Sequence, residues 1–389
     1  MPSSSISSSE RVGASYGPPL TLSPPAEAPS RGAWALLARA AALLLVAALP
    51  VAFSAWIDPA RLVTPRHSER EIARTLASGA NVTDFVNYDD RAIEKFLAPR
   101  RPARIDVLAL GSSRMQPMPA SAFPHATFVN AAMQGGMLDD VFAIYGLYDH
   151  AGRRPRHVVM TVDPWTESYD ATPGWMTIAD ERTMVLRRSG IPVSPTRDRL
   201  VLLWRAMRTL ATPEYFRLSV YSFRRYGTHN VPWRATKLAQ NAEKTKLPDG
   251  TVVWSDLPAD NAERVAPQFA AQWLPTDSRF RNLDRRAPGR RDALERFVRY
   301  LTSEGVTVTL VLVPFPIEVY DAFRRQPGYP VTAVERDLRA MSKRVGSEIV
   351  GSYDPRAVGV TTRDFFDEDH LRPDALARMV ARSARGESR

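Results

Sequence analysis

A serine hydroxyl attacks an acyl carbon at neutral pH only when a base within hydrogen-bond reach takes its proton, and that base needs a further group to hold its tautomer. Two stretches of this 389-residue chain carry residues of the right kind. The first is IDVLALGSSR, Ile105 to Arg114, where an apolar run stops at Gly111, Ser112 and Ser113. The second, far downstream, is FFDEDHLRPDA, Phe365 to Ala375, which sets Asp367 three residues ahead of His370. Ser113 is the candidate nucleophile, His370 its base, and Asp367 the carboxylate placed to reach the far nitrogen of the imidazole. Serine after a strand is also ordinary turn chemistry. The pairing of the two stretches, more than either alone, points to acyl chemistry.

Such groups meet only if a scaffold brings them together. Residues 105–110 read as a buried strand, and in an α/β sheet the carboxyl ends of the strands open into the ligand crevice. Gly111 permits the sharp turn that would lift a serine into it. A second strand is expected at about 126–130, then NAAMQGG over 130–136 and an amphipathic helix over 138–150, with Asp139 and Asp140 suited to the positive end of its dipole. A third strand, 157–162, ends at Asp163-Pro164-Trp165. Regular alternation returns with a helix at 291–304, a strand at 306–313, a helix at 332–345, a short strand and a final helix, 373–385, that Pro373 opens. Strands separated by helices predict an α/β fold, a doubly wound and mainly parallel sheet with helices on both faces.

Three loops then converge, 111–114, 130–136 and 367–370. The backbone N–H groups of Ser113 and Gly135 are candidates to bind a developing oxyanion. Asn130 reads as a loop brace or a substrate contact. Asp163 reads as a strand-end cap or a site carboxylate, and Arg114 as a loop brace or a contact for an anionic group beside the serine.

The rest of the chain sets the compartment. Residues 1–32, rich in Ser and Pro and poor in large apolar side chains, read as a disordered cytoplasmic tail. Residues 33–57 carry Arg39 as their only charge, and crossing about 30 Å of hydrocarbon takes roughly 20 apolar residues. The segment reads as a transmembrane anchor with Trp34 and Trp56 near the two interfaces. Arg11, Arg31 and Arg39 precede its uncharged run, Ala40 to Ile57, which places the body of the protein on the periplasmic side of a bacterial inner membrane. A cleaved signal peptide, processed near Ala52 and Ser54, is the competing reading. Residues 58–104 read as a linker with short helices. The α/β domain takes 105–164 and 291–389, and the irregular stretch 165–290 reads as an insertion, partly a lid, with a hairpin or turn at LPDGTVVW.

Composition excludes several classes. With no cysteine there is neither a disulfide framework nor a thiolate site. His67, His125, His150, His157 and His229 show no metal-ligand spacing, so no metal and no cofactor is assigned. The net charge of +10 is compatible with nucleic acid, an anionic membrane or an acidic polysaccharide. No zinc-finger, RRM or basic-zipper pattern accompanies it, and no nucleic-acid partner is expected. Arg279, Arg281, Arg285, Arg286, Arg290 and Arg291 cluster, and a solvated loop and helix face is the plain reading of them.

The set GSS, NAAMQGG and DEDH, in that order, resembles the SGNH (GDSL-like) hydrolases. That resemblance implies a flavodoxin-like strand order, Ser113 as nucleophile, Gly135 as the second-block oxyanion glycine, and Asp367 and His370 as the last block. It covers residue 105 to about residue 382, with no block matched near 165–290. Ser112 stands where the family usually has Asp, a change shared with the D-alanine transfer proteins of teichoic acid modification. The third block's Asn is replaced by the Asp163-Pro164-Trp165 segment, and an ionised carboxylate cannot donate to an oxyanion. The anchored architecture and the GSSR block resemble proteins that accompany membrane-bound O-acyltransferases in acetylating exported polysaccharides, the alginate acetylation proteins among them. The resemblance implies an O-acyltransferase or esterase acting on a cell-surface polysaccharide, with a membrane-bound O-acyltransferase as a partner. The alternative is a catalytically degenerate member that binds glycan or scaffolds such an acyltransferase.

Overall fold

The apolar runs at the centre of the chain are buried on both faces, the condition under which strands pair in parallel beneath covering helices. The protein's structure, a computed structural model, describes residues 31–59, 67–85, 88–167, 174–227, 233–255, 257–274, 289–325 and 331–384. The chain divides into two compact units, Met1–Val51 and Ala52–Arg389. Helix α1 (Arg31–Ile57) makes up the described part of the first and continues into the second. Its 24 residues Trp34–Ile57 are long and apolar enough to cross a membrane. The tail expected over 1–32 lies outside the described residues, except for its last two positions, which open α1.

The second unit begins with α2 (His67–Ala77), β1 (Asn81–Thr83), α3 (Asp90–Leu97), β2 (Ile105–Leu110), β3 (Phe128–Asn130), α4 (Leu138–His150) and β4 (Pro155–Thr161). Next come α5 (Ala179–Arg188), α6 (Pro195–Leu210), α7 (Pro213–Tyr226), β5 (Arg234–Thr236), β6 (Thr245–Lys246), β7 (Val252–Val253) and α8 (Asn261–Gln268). The chain closes with α9 (Arg290–Ser303), β8 (Thr307–Leu312), α10 (Ile317–Arg325), α11 (Val331–Val345), β9 (Glu348–Gly351) and α12 (Pro373–Ala384).

Five strands form a wholly parallel sheet in the order β3-β2-β4-β8-β9. Chain order reverses between β2 and β4, so the switch-point crevice of such a sheet opens beside Ser113 and Asp163, just past those strands' carboxyl ends. Alternate side chains feed two cores. Leu108 and Leu110, Val158 and Met160, and Leu310 and Leu312 enter one, while Val107, Ala109, Val159 and Val311 enter the other. Helices α4, α9 and α11 cover the first through Phe142, Phe297 and Leu338, and α12 covers the second through Leu376, Met379 and Val380. The Phe142 and Phe297 rings meet at 4.8 Å, and truncating either to Ala is expected to cost about 3–5 kcal/mol.

A second sheet, four-stranded and antiparallel, runs β5-β1-β6-β7. Val82 pairs with Ala235 and Lys246, and Thr83 with Thr245. The stretch 58–104 therefore does more than link, because its strand β1 is built into a sheet with residues from the stretch 165–290. Strands of two or three residues leave no periodicity to read, and their partners are remote along the chain. The hairpin expected at LPDGTVVW is formed by β6 and β7, with Gly250 N–H donating to Leu247 O at 2.9 Å across the tip. That tip is docked on the main sheet, since Asn130 N–H donates to Asp249 O at 2.8 Å.

Candidate active site

Ser113 Oγ lies 2.9 Å from His370 Nε2. On the other side of the ring, Nδ1 stands 3.0 Å from each Asp367 oxygen. With the Nδ1 proton donated to the carboxylate, Nε2 carries the lone pair that a serine proton needs. Asp367 also fixes its own loop, because its Oδ1 accepts from the backbone N–H of Asp369 at 2.9 Å and of His370 at 2.8 Å. Burial pushes the Asp367 carboxyl up, yet the charge and hydrogen bond of His370 and those two amides outweigh it and hold it below the ordinary carboxylate value. The loop is closed by Phe366 N–H donating to His370 O at 2.8 Å, just before α12 begins.

The serine turn depends on glycine. Gly111 has φ +126°, and a Cβ there would sit 2.0 Å from Thr161 Oγ1, the atom that accepts from Ser112 N–H at 3.2 Å. A Cβ on Gly136 would lie 2.5 Å from Gly111 O, so the loop after β3 packs backbone to backbone against the serine turn. Met133 N–H donates to that same Gly111 oxygen at 3.0 Å.

Most amides around the serine are occupied. Ser112 N–H is held by Thr161, Arg114 N–H by Ser112 Oγ, Gln134 N–H by Asp90 Oδ2, and Gly136 N–H by Met133 O. The N–H groups of Ser113 and Gly135, the two candidates for an oxyanion, have no acceptor among the described residues. The Gly135 peptide is held from behind by Arg91, which donates to Gln134 O at 3.1 Å and reaches Gly135 O at 3.5 Å while its guanidinium grips Asp140 at 2.7 and 3.0 Å. Asp90, one residue earlier, joins Gln134 N–H to Gln116 Nε2 and to the buried Lys246 ammonium at 2.9 Å. Asp90 and Arg91 are thus the supports of the 130–136 loop. A DDR triplet at a helix start was their only sequence signal.

Arg114 is fully buried, its guanidinium spent on groups of the protein's own interior. It donates to Asp163 Oδ1 at 2.9 Å, Asp369 O at 3.2 Å, Val313 O at 2.8 Å and Pro314 O at 2.5 Å, with its guanidinium 3.9 Å from the Phe315 ring centroid. One side chain therefore ties the ends of β2, β4 and β8 to the loop that carries His370. Asp163 is likewise buried; burial pushes its carboxyl up, and the charge of Arg114 offsets that in part. Asn130 is buried too. Its Nδ2 spends its donors on the carbonyls of Met115, Gln116 and Met118, and its Oδ1 accepts from Ala132 N–H. Of the residues singled out in the sequence, Ser113, His370 and Asp367 are in contact and Gly135 stands in the adjoining loop, whereas Asn130, Asp163 and Arg114 are braces behind them.

One further ring borders the imidazole, and a lysine lies over that ring. The Trp254 ring, at the end of β7, lies 4.3 Å from that of His370, and Lys244 Nζ sits 3.4 Å from the centroid of the Trp254 ring. Burial pushes the Lys244 ammonium down, and the carboxylates of Asp367 and Asp90 offset this only in part. Glu368 is pushed up by burial and by Asp367 beside it. The Arg279, Arg281, Arg285 and Arg286 part of the arginine cluster lies outside the described residues, while Arg290 and Arg291 pair with Asp139 and Asp337. No protein-family model matches the chain, and no curated protein matches it.

Proposed function

We propose that this chain is a membrane-anchored, SGNH-like O-acyltransferase or esterase acting on acyl groups, acetyl in the first instance, of an exported cell-surface polysaccharide. Its catalytic body faces the periplasm of a bacterial inner membrane and works beside a membrane-bound O-acyltransferase. The observation that carries the catalytic part is the 2.9 Å approach of Ser113 Oγ to His370 Nε2, with Asp367 on the opposite nitrogen. The polysaccharide, the acetyl group and the partner rest on the resemblance of the GSS, NAAMQGG and DEDH stretches.

Ser113 Oγ attacks the acyl carbonyl carbon as His370 Nε2 takes its proton. The carbonyl oxygen becomes an oxyanion held by the Ser113 and Gly135 N–H groups, each such donor contributing about 3–4 kcal/mol in well-studied hydrolases. Collapse expels the leaving alkoxide, which takes the proton from His370, and leaves an ester on Ser113. A sugar hydroxyl or water, deprotonated by His370, then attacks the ester carbon, and the Ser113 oxygen leaves and takes the proton back from His370.

The test is to incubate the full-length protein in detergent with an activated acetyl ester and to look for acetyl on Ser113 by mass spectrometry. A Ser113 adduct and turnover that fall by several orders of magnitude in Ser113→Ala are expected. Equal turnover in wild type and Ser113→Ala, with no adduct, would end the catalytic reading. A second reading, a degenerate member that binds glycan or scaffolds the acyltransferase, is favoured by one observation: Asp163, where the third oxyanion donor would stand, is turned into an ion pair with Arg114. Glycan affinity and function in the cell that survive both Ser113→Ala and His370→Ala would select it.

A further inference from the structure

Helix α6 carries a run of large apolar residues on the outside. Leu200, Leu203, Trp204 and Met207 recur at the spacing of one helical face, and each is more than half exposed. In a water-soluble domain such a stripe turns to the core. Its neighbour α7 adds exposed Leu218 and Tyr221. An outward apolar face of this extent marks an interaction surface.

The place where this hairpin is fastened says what covers it. Phe53 and Trp56, in the last turns of α1, pack on α7: Phe53 lies 5.7 Å from Phe216 and 5.9 Å from Phe223, and Trp56 lies 6.0 Å from Phe223. Tyr215 Oη donates to Asp58 Oδ1 at 2.8 Å, one residue past the end of α1. The hairpin is thus tied to the residues where the apolar helix gives way to polar chain, the level of a bilayer's headgroups. Basic residues border the stripe: the Arg208 guanidinium lies 5.4 Å from the Trp204 ring centroid, and α7 ends in exposed Arg224 and Arg225. Apolar and aromatic side chains on one face with arginines beside them suit a helix lying in an interface with anionic lipid.

We propose that the α6–α7 hairpin lies in the headgroup region of the membrane that α1 enters, its apolar stripe against the acyl chains and its arginines at the lipid phosphates. The inference rests on reading α1 as a membrane span and is independent of the chemistry at Ser113.

The cysteine-free chain suits a direct test. Single cysteines at Leu203→Cys, Met207→Cys, Leu44→Cys in α1 and Arg299→Cys on α9 carry a nitroxide in the full-length protein, reconstituted into vesicles of phosphatidylethanolamine and phosphatidylglycerol. Collision with oxygen, which partitions into lipid, is compared with collision with a water-soluble nickel chelate. Labels at 203 and 207 should favour oxygen several-fold, as at 44, and the label at 299 should favour nickel. Labels at 203 and 207 that behave like 299, while 44 stays lipid-like, overturn the inference and leave the anchor standing. A water-accessible label at 44 removes the anchor and the inference with it. Labels at 203 and 207 shielded from both reagents mean that a second copy covers the stripe, which also overturns it.

Discussion

Replacing Arg114 by Met keeps most of the side chain's length and removes its charge and its donors. In the native protein that guanidinium satisfies Asp163 at 2.9 Å, stands 3.2 Å from Asp369 Oδ1, and donates to three backbone carbonyls, all out of water. Removing one partner of a buried ion pair costs about 3–5 kcal/mol, because the other charge stays buried without compensation. At about 2–4 °C per kcal/mol, the value for domains of 150–250 residues, the melting temperature of Arg114→Met should fall by roughly 10 °C. Thermal unfolding of the full-length protein followed by circular dichroism measures it. Adding Asp163→Asn removes one of the stranded carboxylates, so the double variant should recover about 1–3 kcal/mol relative to the sum of the single losses. The reasoning is refuted if Arg114→Met costs under about 1 kcal/mol, or if Asp163→Asn adds its full separate penalty on top of it.

Other expectations follow from the same geometry. Asp367→Asn should lower acetyl-ester turnover by about 10⁴-fold, since an amide no longer holds the Nδ1 proton of His370, and steady-state kinetics at saturating ester would report it. The Asp367 carboxyl is held below its ordinary 3.8, so its contribution to stability is full above that value and disappears as pH falls through the lower, folded one. Unfolding free energies of wild type and Asp367→Asn, compared down an acid titration, should therefore converge below pH 3.8 and not above it. Gly111→Ala forces a Cβ to within 2.0 Å of Thr161 Oγ1 at φ +126°, and a loss of about 2 kcal/mol or more in denaturant unfolding is expected, which Thr161→Ala should relieve only in part. Arg91→Met frees the Gly135 peptide, and kcat for ester turnover should fall while KM changes little, the mark of a lost transition-state contact.

What short-range pattern controls was readable along the chain. The run from Ile105 to Leu110, the helix from Leu138 to His150 and the apolar segment ending at Ile57 stand where their composition puts them, because burial on one face or two leaves a periodic trace in residue order. The Asp367 and His370 contact was legible for the same reason, as three residues within one loop bring a carboxylate to an imidazole. Ser113 beneath His370 required the sheet order, in which the strand holding the serine becomes a neighbour of elements far along the chain. The supports were legible only as alternatives, with Arg114, Asn130 and Asp163 each open to a bracing or a site role, and their partners were not legible at all. Nothing in the residues around Arg114 says that it is swallowed under the strand ends, nor does a DDR triplet announce a brace for Gly135, nor EKTK a lysine over the tryptophan that flanks the imidazole. These are contacts between segments with no correlated spacing, formed only when the two sheets and their loops pack, and the energy that selects them belongs to the assembled interior and to no single stretch of chain.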